Sequence, residues 1–292
     1  MLRGLYTAAA GMVTQQRRHD TATQNLVNLN TTGYKQVDSV SHAFPEVLIT
    51  AMNKGVTQPV GRINTGVFAE QSVSQYLQGD LIESGKSVDF ALSTDLQVPD
   101  PENPGTNLAF DGSGKYISPD GEVTYRPQAF FTVQDNEGNN LYTRNGSFTV
   151  SPTGEVHSLG GFKVLDSNGN PLQLNGPQDN LKVDGQGNLI DNKTGLPSGT
   201  RIGISVVTRP QELVRDGNGV FHADDAEAAD IRFSNGTDIL QVRQGYLENS
   251  NVDATQVTVD MNAAYRAYEA NQKVIQFYDS SLQKAVNEVG RV

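Results

Sequence analysis

The chain has 292 residues, 22 Lys and Arg against 33 Asp and Glu, a formal net charge of −11, and neither cysteine nor tryptophan. The missing cysteine excludes a disulfide framework, a thiolate nucleophile and any cysteine-based metal site. The acidic balance makes nucleic acid a poor partner, no apolar run approaches the roughly 18 residues of a membrane span, and the length allows one or two domains with a real core.

Residues 1–35 read as helical. Leu2, Leu5, Ala9 and Met12 recur in steps of three and four, and the frame continues through Gln16, His19, Thr23 and Leu26. Gly33 is expected to end this region, because glycine tolerates the left-handed conformation past a helix end. Arg3 and the mildly apolar stretch after it superficially resemble a secretion signal. Ala8-Ala9-Ala10 sits inside that stretch, too early for cleavage behind it, so an uncleaved start is expected. Residues 36–85 carry Gly55, Pro59, Gly61 and Gly66 and read as an extended, irregular connector.

From 86 to 248 the pattern is β. Phe130-Phe131-Thr132-Val133, Leu141-Tyr142-Thr143-Arg144 and Ser147-Phe148-Thr149-Val150 are short β-rich runs, separated by Asp135-Asn136-Glu137-Gly138 and Asn145-Gly146. Asn-Gly between strands is a strong hairpin signal, because both residues tolerate positive φ. Further runs at 162–165, 181–183, 202–208 and 239–243, spaced by Asn168-Gly169 and Asp184-Gly185, predict a mainly antiparallel sandwich or barrel. Segment 95–127, with Pro99, Pro101, Pro104 and Gly112-Ser113-Gly114, reads as an inserted excursion.

The C-terminal end is the clearest helix. Met261, Tyr268, Ile275, Leu282 and Val289 are each seven apart, and Ala264, Asn271, Tyr278 and Ala285 lie three residues beyond the first four. A seam of this period without Gly or Pro predicts a coiled-coil-like helix. Asn271 weakens it, as Gln16, His19 and Thr23 weaken the N-terminal frame, so packing against further helices is expected. The fold class is α+β: long N- and C-terminal helices pair as a coiled-coil-like stalk, with a central mainly antiparallel β domain. Residues 1–35 with 249–292 form the helical part, 36–85 the connector, and 86–248 the β domain. The net charge of 1–35 is +3 and that of 253–292 is −1, so 36–252 carries −13.

Chemistry is sparse. His19, His42, His157 and His222 show no metal-ligand spacing, and there is neither a phosphate-binding loop nor a nucleophile elbow. Asp184-Gly185-Gln186-Gly187 and Asp216-Gly217-Asn218-Gly219 look superficially like calcium loops. Val220 occupies the fifth position of the second, where an oxygen ligand is needed, so both read as hairpin turns. Adjacent carboxylates such as Asp224-Asp225 arise by chance among 33 acidic residues. No catalytic, cofactor or metal site is expected, and the chain reads as a non-enzyme whose two helical ends bracket a β body.

Three blocks resemble a known family, the axial rod and hook proteins of the bacterial flagellum. The first is Gln24-Asn25-Leu26-Val27-Asn28-Leu29-Asn30-Thr31-Thr32-Gly33-Tyr34-Lys35, similar to the rod signature A-N-N-L-A-N-x-N-T-x-G-[FY]-K, with Thr23, Gln24 and Val27 in place of the usual Ala, Asn and Ala. The second runs from Phe130 to Val150 and on through Asn170. The third is Gly245-Tyr246-Leu247-Glu248-Asn249-Ser250-Asn251-Val252-Asp253, followed by Tyr265-Arg266-Ala267-Tyr268-Glu269-Ala270-Asn271. The opening Met1-Leu2-Arg3-Gly4-Leu5-Tyr6 and Phe44-Pro45-Glu46 look most like the distal-rod-type proteins of Gram-positive flagella.

The resemblance implies a structural subunit of the basal-body rod, exported without a cleaved signal through the flagellar export apparatus. Its terminal helices would pack with those of other rod subunits into a hollow homo-oligomeric tube that carries torque to the hook protein. The expected assembly interface is Leu2, Leu5, Ala9, Met12, Asn25, Leu26, Asn28, Asn30, Gly33 and Tyr34 at one end. At the other it is Met261, Tyr265, Arg266, Tyr268, Glu269, Asn271, Ile275, Leu282 and Val289. Asn25, Asn28 and Asn30 either fix turns and inter-subunit hydrogen bonds or cap the helix. Arg266 and Glu269, three apart, pair locally or across subunits. A hook or hook-associated subunit and a cell-wall-binding β module are the alternative readings, with a wall hydrolase more distant.

Overall fold

The computed structural model describes residues 2–53, 56–100, 103, 105–111, 114–174, 181–190, 195–235 and 238–289. Of the positions singled out above, Met1, Gly55, Pro101, Pro104, Gly112 and Ser113 lie outside the described residues, as do the side chains of Leu2, Arg3, Pro59 and Val289. Contacts divide the chain into two units, one of residues 1–27, 37–73 and 252–292, the other of 28–36 and 74–251.

The first unit holds both long helices, α1 (Leu2–Val27) and α2 (Ala254–Lys284). They run antiparallel and close together. A Cβ on Gly4 would collide with the Tyr278 ring, and one on Gly11 would lie 3.0 Å from Asn271 Nδ2. Asp253 starts α2 by accepting from the amides of Thr255 at 2.8 Å and Gln256 at 3.2 Å, two of the donors a helix N-terminus leaves unpaired. Along α2 and into the turn that follows it, Met261, Ala264, Tyr268, Asn271, Ile275, Tyr278, Leu282 and Ala285 are buried or half-buried, and most positions between them are exposed. On α1 the most buried residues are Ala8, Thr14, Ala22 and Asn25. Ala8, Ala22 and Asn25 each lie one position away from the frame of Leu5, Ala9 and Met12, which are half-buried beside them, while Gln16 and Thr23 are exposed. Small side chains let the helix backbones approach, so Gly4 and Gly11 decide which face is packed.

Two expectations change in this part of the chain. Helix α1 ends at Val27, six residues before Gly33, and the Asn28 carbonyl accepts from the Thr31 amide at 3.1 Å to turn the chain. The stretch expected to be irregular forms two antiparallel strand pairs, Ser41–Ala43 with Val67–Ala69 and Val47–Asn53 with Val56–Ile63. In the second pair Ile49 faces Gly61 and Thr50 faces Pro59, so Val60 is bulged out. A bulge accommodates a proline that has no N–H for the ladder, which is why the composition masked the strands.

The second unit is built on a nine-stranded antiparallel sheet whose central strand is Gln128–Gln134. That strand pairs with Asn140–Thr143 on one side and with Ile204–Val207 and Lys163–Val164 on the other. Side chains alternate across a strand, and here both faces are covered. Ala129, Phe131 and Val133 join Phe90, Phe148, Val164 and Ile202 in one core. Phe130 joins Tyr142, Val207, Leu213 and Phe221 in the other. Phe130 and Phe131 are both fully buried, each burial worth about 1.5–3 kcal/mol.

Asp135-Asn136-Glu137-Gly138 forms a hairpin turn as expected. Asp135 accepts from the amides of Glu137 and Asn139, both at 2.8 Å, and Gly138 takes φ +93°. Asp184 makes the same turn with Gln186 and Asn188. Asn145-Gly146 differs from expectation. The strands around it pair with other strands, Asn140–Thr143 with Val220–Ala223 and Phe148–Val150 with Val156–Ser158. Gly146 instead lies against the backbone of Phe90, whose amide donates to the Gly146 carbonyl at 3.0 Å. The excursion 95–127 contains its own small hairpin, Lys115–Ile117 with Val123–Tyr125.

Candidate functional site

The three signature blocks meet inside the second unit, around a buried ion triad of Lys35, Arg144 and Glu248. The Glu248 carboxylate accepts through Oε1 from Lys35 Nζ at 2.7 Å and from the Gly79 amide at 2.9 Å, and through Oε2 from Arg144 Nε at 2.8 Å. Lys35 Nζ also donates to the Leu77 carbonyl at 2.6 Å. Arg144 donates to the carbonyls of Ala129 at 2.7 Å and Leu92 at 3.2 Å. All three side chains are about 1% exposed or less. Two cations share one carboxylate, and backbone carbonyls accept further N–H groups from both, the kind of pairing under which buried charges are tolerated.

The pKa directions follow. Burial pushes Lys35 down, helped by the Arg144 charge, and the pull of Glu248 recovers only part, leaving it at about 8. Burial acts to raise Glu248, but the charges of Arg144 and Lys35 outweigh it and hold the carboxyl below its ordinary range. Between pH 8 and the ordinary lysine value of 10.5, the folded chain has released the Lys35 proton and the unfolded chain still holds it. The unfolded state then binds more protons, so this residue's contribution to stability rises with pH across that window. The expected result is that the stability advantage of the wild type over Lys35→Met grows between pH 7.5 and 10, read from urea midpoints followed by circular dichroism.

Around the triad the backbone is laced by signature residues. Gly33 takes φ +70°, and its amide donates to the Glu248 carbonyl at 2.8 Å. Tyr34 is buried under the Arg215 guanidinium, 4.5 Å from its ring centre, and Arg215 donates to the Lys35 carbonyl at 2.6 Å. Burial raises the Tyr34 pKa and Arg215 opposes the shift. Asn251 Oδ1 accepts from the Gln36 amide at 2.6 Å, while its Nδ2 donates to the carbonyls of Gln75 and Leu77.

The other expected interface residues are placed as follows. Asn25 is buried in the first unit, clasping the Val37 backbone in both directions at 2.8 and 2.9 Å. Asn28 accepts from the Thr31 hydroxyl at 3.1 Å, and Asn30 is exposed. Leu5, Ala9, Met12, Leu26, Met261, Tyr268, Asn271, Ile275 and Leu282 are half-buried on the helices. Glu269 is engaged by the Tyr265 hydroxyl, which raises the tyrosine pKa, and Arg266 is exposed on the same helix. Lys35, Arg144 and Glu248 fall in the first, second and third signature blocks, but nothing in the sequence pairs them or gives them a role. Their signal is a cation at the end of the first block, a cation inside the second and an anion inside the third.

No group of three or more metal-ligating side chains occurs among the described residues, and none of their helices is long and apolar enough to cross a membrane. The triad's hydrogen bonds run between its own members and to backbone groups of the same chain. The arrangement cross-links three distant stretches of backbone.

Comparison with known proteins converges on the same blocks. Residues 5–35 match the family described as flagella basal body rod protein. Residues 127–264 match the flagellar hook protein FlgE/F/G D1 domain, and 243–288 the flagellar basal body rod FlgEFG protein C-terminal region. The chain is 31% identical to the flagellar hook-basal body complex protein FlhO of Bacillus subtilis across the full length of both. It is 30% identical to the flagellar basal-body rod protein FlgG of Borreliella burgdorferi over 98% of each chain, and 27% identical to FlgG of B. subtilis over 98% of this chain and 99% of that one.

Proposed function

Because the chain belongs to the flagellar basal-body rod and hook family, whose members are structural, non-enzymatic components of the flagellum, we propose that it is a rod subunit. It polymerises through its terminal helices into a hollow shaft that transmits torque to the hook. Its partners are further copies, other rod subunits and hook protein, and it reaches them through the flagellar export apparatus without signal cleavage.

The observation that carries this reading is the outer surface of the helix pair. Tyr6, Val13 and Val27 lie on one line of α1 at seven- and fourteen-residue steps. Val27 is 75% exposed, and Phe277 on α2 is 73% exposed. Val259, Val274 and Val286 of the helical end are exposed as well. Burying such side chains is worth about 1.5–3 kcal/mol each, and neighbouring copies would cover them. The heptad burial pattern of α2 supports a coiled-coil-like stalk. The acidity of 36–252 fits an outer shell around low-charge helices.

The test is deletion of the gene and isolation of basal bodies. The expected result is assembly halted before the hook with inner parts intact. Rods that complete and stop at the hook would transfer the reading to a hook subunit. Normal motile filaments would overturn it.

A further inference from the structure

Within the second unit, 31–36, 75–80 and 245–251 cross at Glu248 and are tied to one another by backbone hydrogen bonds, while Tyr246–Glu248 also pairs with the short strand Leu81–Glu83. The Gln75 amide donates to the Gln36 carbonyl at 2.7 Å, the Gly33 amide to the Glu248 carbonyl at 2.8 Å, and the Asn249 amide to the Asp80 carbonyl at 2.8 Å. The Gln36 and Gly79 amides donate to the side chains of Asn251 and Glu248. Buried apolar support is thin. Tyr34 stacks on Arg215, Tyr76 packs edge-on against Phe130 at 6.0 Å, and Leu77 is exposed. The central strand Gln128–Gln134, by contrast, is paired on both sides and buried on both faces. Regions with few buried apolar contacts open locally at lower free energy than the core.

We propose that this crossing is a latch: 31–36, 75–80 and 245–251 open and close as one local unit while the sheet stays folded, with the Glu248 carboxylate holding the closed form. Glu248 is the sole anion of the triad, so its charge decides the equilibrium. Opening returns Lys35 to water, and Arg144 keeps its bonds to the carbonyls of Ala129 and Leu92. Because 245–251 is the last stretch of this unit along the chain, the latch is also the last part of the unit to close as the chain emerges from its N-terminus. Along the chain, 31–36 follows α1 and 245–251 precedes α2, and closure joins these two stretches at Gly33 and Glu248. The proposal stands on contacts inside one unit and does not depend on what the helices assemble with.

Native-state hydrogen exchange on the full chain tests it. In the wild type, the amides of Gly33, Gln36, Gln75, Gly79 and Asn249 are expected to share one opening free energy and to exchange at least about tenfold faster than those of Phe131 and Val133. In Glu248→Gln the five amides lose most of their protection together, while Phe131 and Val133 stay strongly protected. Lys35→Met, which leaves Glu248 paired with Arg144, gives a smaller loss in the same group. Equal protection of the two groups in the wild type would overturn the proposal. So would unchanged protection of the five amides in Glu248→Gln, or loss of sheet protection along with them.

Discussion

Replacing Arg144 with methionine lowers the unfolding free energy by about 3–5 kcal/mol, the usual cost of removing one member of a buried ion network. The side chain is fully buried and reaches three acceptors: Glu248 Oε2, the Ala129 carbonyl and the Leu92 carbonyl. The last two belong to the sheet and to the strand Phe90–Thr94, so the loss falls on the body of the unit as well as on the triad. Lys35→Met costs less, about 1–3 kcal/mol, because lysine makes two contacts there and Arg144 still neutralises Glu248. Arg144→Lys should not rescue, since an ammonium cannot present the planar fork that meets three acceptors at fixed angles. Urea denaturation followed by circular dichroism measures all three variants. An Arg144→Met protein within about 1 kcal/mol of wild type would mean that the triad does not hold this unit together.

Gly33→Ala is expected to cost about 2–4 kcal/mol, combining the left-handed backbone penalty with a steric clash. The residue sits at φ +70°, and a Cβ there would lie 2.5 Å from the Asn145 amide nitrogen and 2.6 Å from the Arg144 carbonyl carbon. Neither is the end of a flexible side chain, so backbone must move, and the move displaces Arg144 from Glu248. Gly161→Ala is the control. It has φ +81° with open space around its Cβ position, so it carries the conformational penalty alone, about 1–2 kcal/mol. Thermal melts of the two variants separate the contributions; equal losses would refute the clash at Gly33.

Gly33 also shows how local and tertiary signals differ. A glycine after an amphipathic run reads as a helix stop, and its positive φ was legible. Its reason was not, because the backbone it must avoid is that of Arg144 and Asn145, more than a hundred residues away. Asn145-Gly146 carried the strongest short hairpin signal in the chain, yet it joins strands that pair elsewhere. The turn propensity was real, but the registers of Asn140–Thr143 and Phe148–Val150 were set by the partners that bury them. On α1 the period was right and the phase was off by one position. Hydrophobicity favoured Leu5, Ala9 and Met12, whereas close helix approach favoured the small residues Gly4 and Gly11.

The sequence by itself determined the two helical ends, the antiparallel β body, the Asp-initiated turns at 135 and 184, and the family, because each of these follows from period, turn chemistry or a contiguous signature. Only the tertiary structure decided that Lys35, Arg144 and Glu248 form one buried network, and that 31–36 and 245–251 lie side by side. Charges isolated in sequence say nothing of partners 104 or 213 residues away. Burial turns those three residues from ordinary charged positions into a group that must be satisfied together, and burial is a property of the folded chain alone.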